Sequence, residues 1–241
     1  MGPRFRGGDN FGLLRQIASA ETPRISRMNP PPSDRLECRD LACLRGERLV
    51  FKGVSFALAG GEALRLTGPN GSGKSSLLRL LAGLARPEAG TIAWNGAAVA
   101  DDADAHRARL LFLGHADAVK PWLTVRENLA FWAALHGAPA AGIEAALARV
   151  ALTAQAALPA RYLSQGQRRR LALARFAAIP ARLWLLDEPT TGLDEANVSM
   201  LEGLVAAHCA EGGLAVVSTH LALKLPGSAA LALNGPGARA A

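Results

Sequence analysis

The sequence has few cysteines, few lysines and no long apolar run, and each shortage narrows the kind of protein it encodes. The three cysteines, Cys38, Cys43 and Cys209, are an odd number without C-x-x-C spacing. This pattern predicts neither a disulfide framework nor a zinc site. It is typical of a chain that works in a reducing compartment.

The most apolar stretch, residues 171–186, is too interrupted to cross a bilayer, because it contains Arg175, Pro180 and Arg182. A transmembrane helix needs roughly 20 consecutive apolar residues. Any membrane role is therefore expected to require a partner protein.

The basic residues are nearly all arginine. The formal net charge is +7, from 23 arginines and 4 lysines against 20 acidic residues. In an alanine-rich chain this composition indicates a coding bias rather than a binding patch. The main cluster, Arg168 to Arg170, lies on a predicted helix with an apolar opposite face, so we interpret it as a solvated face. No nucleic-acid partner is predicted.

Residues 1–34 mix Gly, Pro, Arg and Ser without apolar periodicity, and they contain three consecutive prolines, Pro30 to Pro32. This composition predicts disorder, and it lacks the features of a secretory signal. Met28 is an alternative start, so residues 1–27 are either untranslated or a flexible extension. A single domain is predicted over residues 35–241.

Short apolar runs alternate with helical patterns through that domain. Strands are predicted at 54–58, 63–67, 91–95, 110–114, 182–186 and 214–219, and helices at 75–82, 124–136 and 194–210. Residues from about 116 to 177 form a helical insert. This alternation predicts an α/β fold with a mostly parallel sheet, whose ligand site lies at the carboxyl ends of the strands.

A glycine-rich loop joins the second of these strands to the first helix. Its residues are Gly68, Pro69, Asn70, Gly71, Ser72, Gly73, Lys74 and Ser75, with Ser76 next. They meet the G-x-x-x-x-G-K-S pattern of a phosphate-binding loop, in which backbone N–H groups surround an anion at a helix N-terminus. Lys74 is expected to reach the β- and γ-phosphates of ATP, and the Ser75 hydroxyl to ligate Mg²⁺.

Two adjacent carboxylates end the apolar strand at 182–186. Asp187 is expected to hold Mg²⁺, and Glu188, pointing the other way along the strand, to polarise the attacking water as general base.

A third motif, Leu163-Ser164-Gln165-Gly166-Gln167, opens a predicted helix. Ser164 and Gln167 have capping-box spacing. Gly166 in the first turn costs stability unless something approaches the backbone closely. A phosphate group suits a helix N-terminus.

Together with Leu-Leu-Asp187-Glu188-Pro-Thr-Thr-Gly-Leu-Asp194 and Ser-Thr-His220, these motifs resemble the nucleotide-binding domains of ABC transporters. The resemblance covers residues 36 to about 233. It implies a P-loop NTPase core with an antiparallel β subdomain and a helical insert, working as a homodimer that hydrolyses Mg-ATP.

The resemblance also implies roles for single residues. Ser164 and Gly166, with Gln167 beside them, would contact the γ-phosphate held by the other subunit, so that two ATP molecules are buried head to tail. Leu193 and Asp194 would lie in the loop crossing between the two sites. His220 would be the switch that bonds the γ-phosphate.

Two positions depart from the common ABC pattern. Arg45 stands where an aromatic residue usually stacks on adenine, and a guanidinium can also stack on a π face. His115 stands where a glutamine usually ligates Mg²⁺ and senses the membrane partner. Histidine either replaces that contact or weakens the ligation.

These departures are similar to the haem-exporter ATPases of bacterial cytochrome c biogenesis, and so are the motif Leu-Thr-Val-Arg-Glu-Asn-Leu129, the run Ala181-Arg-Leu-Trp-Leu-Leu-Asp-Glu-Pro189 and an ending 21 residues after His220. That similarity implies integral membrane permease subunits of a haem-handling complex as partners. It also implies a peripheral location on the cytoplasmic face of the bacterial inner membrane. The alternative is the ATPase of another small exporter, for a drug or a polysaccharide.

Other ABC classes fit less well. A DNA-repair ATPase would carry a long coiled coil between the phosphate loop and the Ser164 motif, yet only 90 residues separate Lys74 from Ser164. Translation-associated proteins carry two cassettes in one chain. A module that binds without hydrolysing would lack Glu188.

Overall fold

The computed structural model describes residues 34–227 and 229–234. Residues 1–33 lie outside that part of the chain, so the disorder predicted for the first 34 residues stays a prediction.

Five of the described strands pair in parallel in the order β6-β7-β8-β3-β9. They are β3 (Ala63–Thr67), β6 (Leu110–Leu113), β7 (Leu183–Asp187), β8 (Leu214–Ser218) and β9 (Ala229–Ala232). Short apolar strands separated by helices form such sheets because each crossover helix returns the chain to the same end. The predicted parallel sheet is confirmed.

A second sheet is antiparallel, with the order β2-β1-β4-β5. Its strands are β1 (Arg35–Arg45), β2 (Arg48–Ala59), β4 (Ala89–Trp94) and β5 (Ala97–Ala98). A tight turn at Gly46 and Glu47 pairs Arg45 with Arg48. The sequence predicted only part of this sheet, because β1 and most of β2 lack an unbroken apolar run.

The described residues form six α-helices and three short 3-10 helices. The α-helices are α1 (Lys74–Leu81), α2 (Ala103–Ala108), α3 (Val125–Leu135), α4 (Ile143–Arg149), α5 (Gln165–Ala178) and α6 (Glu195–Ala210). The 3-10 helices are Ala140–Gly142, Thr153–Gln155 and Ala160–Tyr162. The capping box predicted at Thr124 is present, since Thr124 Oγ1 accepts from Glu127 N and Glu127 Oε2 accepts from Thr124 N.

The parallel sheet separates two hydrophobic cores. Along β7, Leu183 and Leu185 pack with α1 and the antiparallel sheet, whereas Trp184 and Leu186 pack with α3, α5 and α6. Successive side chains of a strand point to opposite faces, so a strand covered on both faces reads as one continuous apolar run.

Trp184 anchors an aromatic group within the second of these cores. Its ring stacks on His208 with centroids 3.9 Å apart and 7° between the planes, and it meets Phe176 edge-on at 5.1 Å. His208 lies on the buried face of α6. The group joins β7 to α5 and α6.

The three cysteines are buried free thiols. Burial raises the pKa of Cys209 to about 11, so this thiol is protonated at neutral pH. Among the described residues, no helix combines the length and apolar character needed to span a bilayer.

Candidate functional site

A cleft of about 740 Å³ opens beside the carboxyl ends of β3, β7 and β8. Polar side chains that follow different parallel strands meet here because these strands all end at one edge of the sheet. Its lining residues are Arg45, Arg48, Val50, Asn70 to Ser76, His115, Glu188, Thr191 and His220. The phosphate loop, Glu188 and His220 therefore meet at one edge of the sheet.

Glycine is required at specific points of the phosphate loop, residues 68–75. Gly68 has φ 135°, and an added Cβ would lie 2.1 Å from the Leu233 carbonyl oxygen. Gly73 has φ 105°, and its Cβ would lie 2.7 Å from the side chains of Val50 and Phe51. The loop can hold this shape only without these side chains.

The loop leads directly into α1, whose N-cap residue Gly73 offers no side chain to the first N–H groups. Those groups, with the positive end of the helix dipole, suit a phosphate. Ser72 Oγ is buried and has no hydrogen-bond partner among the described residues, so a polar ligand group would satisfy it. The loop therefore fits the phosphates of a nucleotide.

The side chain of Lys74 folds back over the first residues of the phosphate loop. Its side chain is buried, and Nζ donates to the carbonyl oxygens of Gly68 at 2.9 Å and Pro69 at 3.4 Å. It also lies 3.8 Å from Glu188 Oε1. The ammonium group thus faces the position where the phosphate loop would place negative charge.

The carboxylate pair is split by a backbone turn. Asp187 is the last residue of β7 and is buried, and its Oδ1 accepts from Ser218 Oγ at 2.7 Å. Glu188 follows with φ 46°, a left-handed conformation that is uncommon outside glycine. This turn, rather than strand alternation as predicted, directs Glu188 away from Asp187.

Ser218 fixes the backbone at this turn. The Glu188 N–H donates to both the Ser218 carbonyl at 3.1 Å and the Ser218 hydroxyl at 2.9 Å. Sequence reasoning missed Ser218 as a site residue, although it is two residues before His220 in the same motif.

His220 follows β8 and completes a polar triangle. Its Nε2 lies 3.2 Å from Glu188 Oε1 and 3.4 Å from Lys74 Nζ. Glu188 Oε1 is buried, and despite these short distances no well-directed hydrogen bond reaches it among the described residues. A carboxylate oxygen in that position can accept a proton from a hydroxyl or water.

A Mg²⁺ ion bound in this cleft would need few ligands from the protein. No group of three or more Asp, Glu, His or Cys able to hold a metal occurs in the described part of the chain. Mg²⁺ commonly takes one or two protein oxygens and completes its shell with water and substrate phosphates. The Ser75 hydroxyl and the Asp187 carboxylate are hard oxygens of the kind that Mg²⁺ takes from a protein.

The chain is similar to known transporter proteins in sequence and in structure. A sequence model of the ABC transporter family matches residues 51–191. The cytochrome c biogenesis ATP-binding export protein of Rhodospirillum rubrum is 58% identical over 195 residues, which cover 81% of this chain and 84% of that protein. The chain belongs to the ABC transporter family, among its cytochrome c biogenesis ATP-binding export proteins.

A second relative in sequence and two solved structures are also ATP-binding proteins or subunits. The protein of the same name from Paramagnetospirillum magneticum is 55% identical over 81% of this chain and 92% of that protein. An ABC transporter ATP-binding protein from Pyrococcus furiosus has a similar structure, with a TM-score of 0.74 and 25% identity over 83% of this chain and 97% of that one. The structure of another ATP-binding subunit of an ABC transporter gives a TM-score of 0.70 at 28% identity, over 77% of this chain and 79% of that one. The predicted ABC fold is confirmed.

The two positions that depart from the common ABC pattern both face the cleft. Arg45 lines it together with Arg48 and Val50, which sequence reasoning did not select. In the sequence, Gly46 and Glu47 form a short turn signal between Arg45 and Arg48. A hairpin there pairs the two arginines, and so could have indicated that Arg48 also reaches the site. His115 lies just beyond the end of β6, on the same cleft.

The Ser164 motif lies outside the lining of that cleft. Its predicted capping box is present, because Ser164 Oγ accepts from Gln167 N at 3.2 Å and Gln167 Oε1 accepts from Ser164 N at 2.9 Å. A Cβ on Gly166 would lie 3.1 Å from the Gly192 carbonyl, so a close backbone neighbour already comes from the same chain. Asp194 caps α6 by accepting from Asn197 N at 2.9 Å.

The expectation of a solvated face for Arg168 to Arg170 is wrong at two of the three positions. Arg168 is exposed, but Arg169 is only 4% exposed. Arg170 is partly buried and donates to the carbonyl oxygens of Val150 and Ala151, both at 2.9 Å. Helix periodicity places Arg169 on the inner face, where carbonyl groups and Asp117 compensate its charge.

Proposed function

We propose that this chain is the ATP-hydrolysing subunit of an ABC transporter complex that exports haem for c-type cytochrome biogenesis. The observation that carries the proposal is the meeting of Lys74, Glu188 and His220 in one cleft beside the phosphate loop. The printed names of relatives at 50–58% identity, all cytochrome c biogenesis ATP-binding export proteins, support the transported class.

The residues divide the chemistry of hydrolysis. The phosphate loop and Lys74 bind the β- and γ-phosphates of ATP. Ser75 and Asp187 would hold Mg²⁺, which would supply positive charge beside the phosphate oxygens. Glu188 accepts a proton from the attacking water, and His220 bonds the γ-phosphate beside it. Arg45 stacks on adenine. His115 lies in the loop after β6, so a movement of that loop would change the contact of His115 with the bound nucleotide.

The active unit is a head-to-tail homodimer. Ser164, Gly166 and Gln167 do not line the cleft of their own subunit, although the N-terminus of α5 suits a phosphate. In the dimer this segment covers the γ-phosphate bound by the other subunit. Asp194, at the start of α6, lies in the loop between the two sites.

The membrane permease subunits dock beside α3. A cavity of about 240 Å³ lies between this helix and the edge strand β6, and it is lined by apolar side chains that include Leu84, Phe112 and Trp132. Leu84 and Leu135 are more than half exposed. A membrane helix or loop seated there would hold the chain at the cytoplasmic face of the inner membrane. ATP binding would close the dimer and move that element, and hydrolysis would reopen it.

Gene deletion tests the proposal. The deletion strain should lose covalently haem-loaded c-type cytochromes, measured by haem staining, while b-type cytochromes persist. A plasmid copy of the wild-type gene should restore them, and a copy carrying Glu188→Gln should not. Normal c-type cytochromes combined with drug sensitivity or loss of a surface polymer would replace the haem assignment with another small exporter.

A further inference from the structure

Arg169 is a buried arginine whose guanidinium contacts three consecutive backbone carbonyls at the carboxylate pair. Its Nη2 donates to the carbonyl oxygens of Asp187 at 3.1 Å and Glu188 at 2.6 Å. Its Nε donates to the Pro189 carbonyl at 3.1 Å. A planar guanidinium can hold several acceptors in one fixed arrangement, which a flexible ammonium cannot.

These carbonyls belong to the turn that directs Glu188 into the cleft. Glu188 has φ 46°, and a non-glycine residue keeps such a conformation only where its surroundings determine it from several sides. Ser218 holds the N–H side of this residue, and Arg169 holds the carbonyl side. The direction of the Glu188 side chain therefore depends on both contacts.

Asp117 holds Arg169 from the opposite side. Asp117 Oδ1 accepts from Arg169 Nη1 at 2.7 Å, and its side chain is three-quarters buried. Asp117 is two residues after His115, and both line a small cavity of about 100 Å³ with Gln165, Arg169 and Thr191. The guanidinium of Arg169 thus connects the loop after β6, the helix α5 and the turn at Asp187–Pro189.

We propose that Arg169 is a positioning residue for ATP hydrolysis, which holds the Asp187–Pro189 turn so that Glu188 faces the attacking water, and that Asp117 orients Arg169. The inference rests on the proposed role of Glu188. A movement of the loop that carries His115 would then change the position of Glu188 through Asp117 and Arg169. Arg169 itself is not among the residues that line the 740 Å³ cleft.

Variants of the full-length chain test this role by separating turnover from binding. Arg169→Gln and Arg169→Lys should lower kcat by on the order of tenfold to a hundredfold, with lysine the milder change, because a small displacement of a reacting group costs that much. The Kd for a fluorescent ATP analogue should stay within about twofold of wild type, since the phosphate loop and Lys74 are unchanged. Rates are compared at a temperature where circular dichroism shows every variant folded.

Arg170→Lys provides the matched control. Arg170 lies on the same helix and also clamps carbonyls, including that of Ala151, which has φ 53°. Arg170 and the two residues it contacts do not line the cleft, so Arg170→Lys should reduce the melting temperature without changing kcat. If the Arg169 variants behave as Arg170→Lys does, with lower stability and wild-type kcat, Arg169 is only structural and the inference is overturned.

Asp117→Asn keeps Arg169 in the chain and covers the case in which its replacement prevents folding. It should lower kcat less than Arg169→Gln does. In the double variant Asp117→Asn/Arg169→Lys, the fold-decrease in kcat should be smaller than the product of the two single fold-decreases, because both changes act on one contact. A wild-type kcat for Asp117→Asn would refute the orienting role.

Glu188→Gln, measured in the same assay, separates this inference from the proposed function. If Glu188→Gln hydrolyses ATP at the wild-type rate, the assignment of the base fails and the positioning role fails with it. If Glu188→Gln is inactive while the Arg169 variants keep a wild-type kcat, only the positioning role is lost.

Discussion

His220 Nε2 lies 3.2 Å from Glu188 Oε1, although the two residues follow different strands of the parallel sheet. The contact exists because β7 and β8 are neighbours and end in register, with Asp187 opposite Ser218. Each side chain leaves its strand end toward the phosphate loop, where Lys74 Nζ lies 3.8 Å from the same carboxylate oxygen. Glu188 Oε1 is therefore the atom at which the side chains of all three residues meet.

Replacing Glu188 by glutamine should stop hydrolysis and leave ATP binding intact. The amide keeps the shape of the side chain but cannot accept the proton of the attacking water, so kcat should fall by about a hundredfold or more. The variant should accumulate as an ATP-bound dimer in Mg-ATP, measured by size-exclusion chromatography beside phosphate release.

Glu211→Gln is a suitable control, since Glu211 is an exposed carboxylate at the C-terminus of α6. It should hydrolyse ATP at the wild-type rate. Turnover near the wild-type level in Glu188→Gln would remove Glu188 from the mechanism.

Lys74→Ala should act on binding itself. The Lys74 ammonium is held over the phosphate loop by two carbonyl oxygens, and charge-assisted bonds to phosphate contribute about 1.5–3 kcal/mol each. The Kd for ATP should rise by about tenfold or more, measured by titration with a fluorescent analogue. Lys52→Ala, at an exposed position of β2, should leave the Kd unchanged. An unchanged Kd in Lys74→Ala would contradict the proposed phosphate contact.

Alanine substitutions in the phosphate loop should differ in their effect on stability. At Gly68 the added Cβ would meet the Leu233 carbonyl at 2.1 Å, so strain and overpacking together should cost about 2–5 kcal/mol of unfolding free energy. At Gly71, φ is 78° but nothing lies within 4 Å of the new Cβ, so only the backbone strain of about 1–2 kcal/mol is expected. Urea unfolding compares the two variants. Equal losses would show that the close approach at Gly68 relaxes without cost.

Two buried histidines should make the fold sensitive to mild acid. Burial lowers the pKa of His106, whose Nε2 lies 2.7 Å from the Leu81 carbonyl, and nearby Arg109 and Arg107 lower it further. Burial also lowers the pKa of His208. Both groups are therefore neutral in the folded state at pH values where the unfolded chain already binds protons.

The sign of the pH effect follows from this difference. Their contribution to stability is complete above the ordinary histidine pKa of 6.5 and decreases as the pH falls below that value. The unfolding free energy of the wild type should thus be smaller at pH 5.5 than at pH 7.5. The loss should be smaller in a chain that carries His106→Gln and His208→Gln. The same loss in both chains would assign the acid sensitivity to other groups.

The sequence by itself determined the ABC fold and the main parts of the candidate site. The phosphate loop, the apolar strand before Asp187, and His220 after β8 are each encoded by neighbouring residues, because local patterns set a strand, a glycine turn or a helix start. The capping boxes at Thr124 and Ser164 were predictable for the same reason. The order of strands and helices then placed these motifs at one sheet edge.

The tertiary structure alone decided how distant groups compensate one another. Within the run from Arg168 to Arg170, the sequence could not distinguish a solvated arginine from the buried Arg169, because its partners lie as far away as Asp117 in the chain. The left-handed turn at Glu188 likewise depends on Ser218 and Arg169, which fold against it from another strand and another helix. A single-residue conformation and a buried charge are stable only when such contacts form, and local sequence patterns do not contain that information.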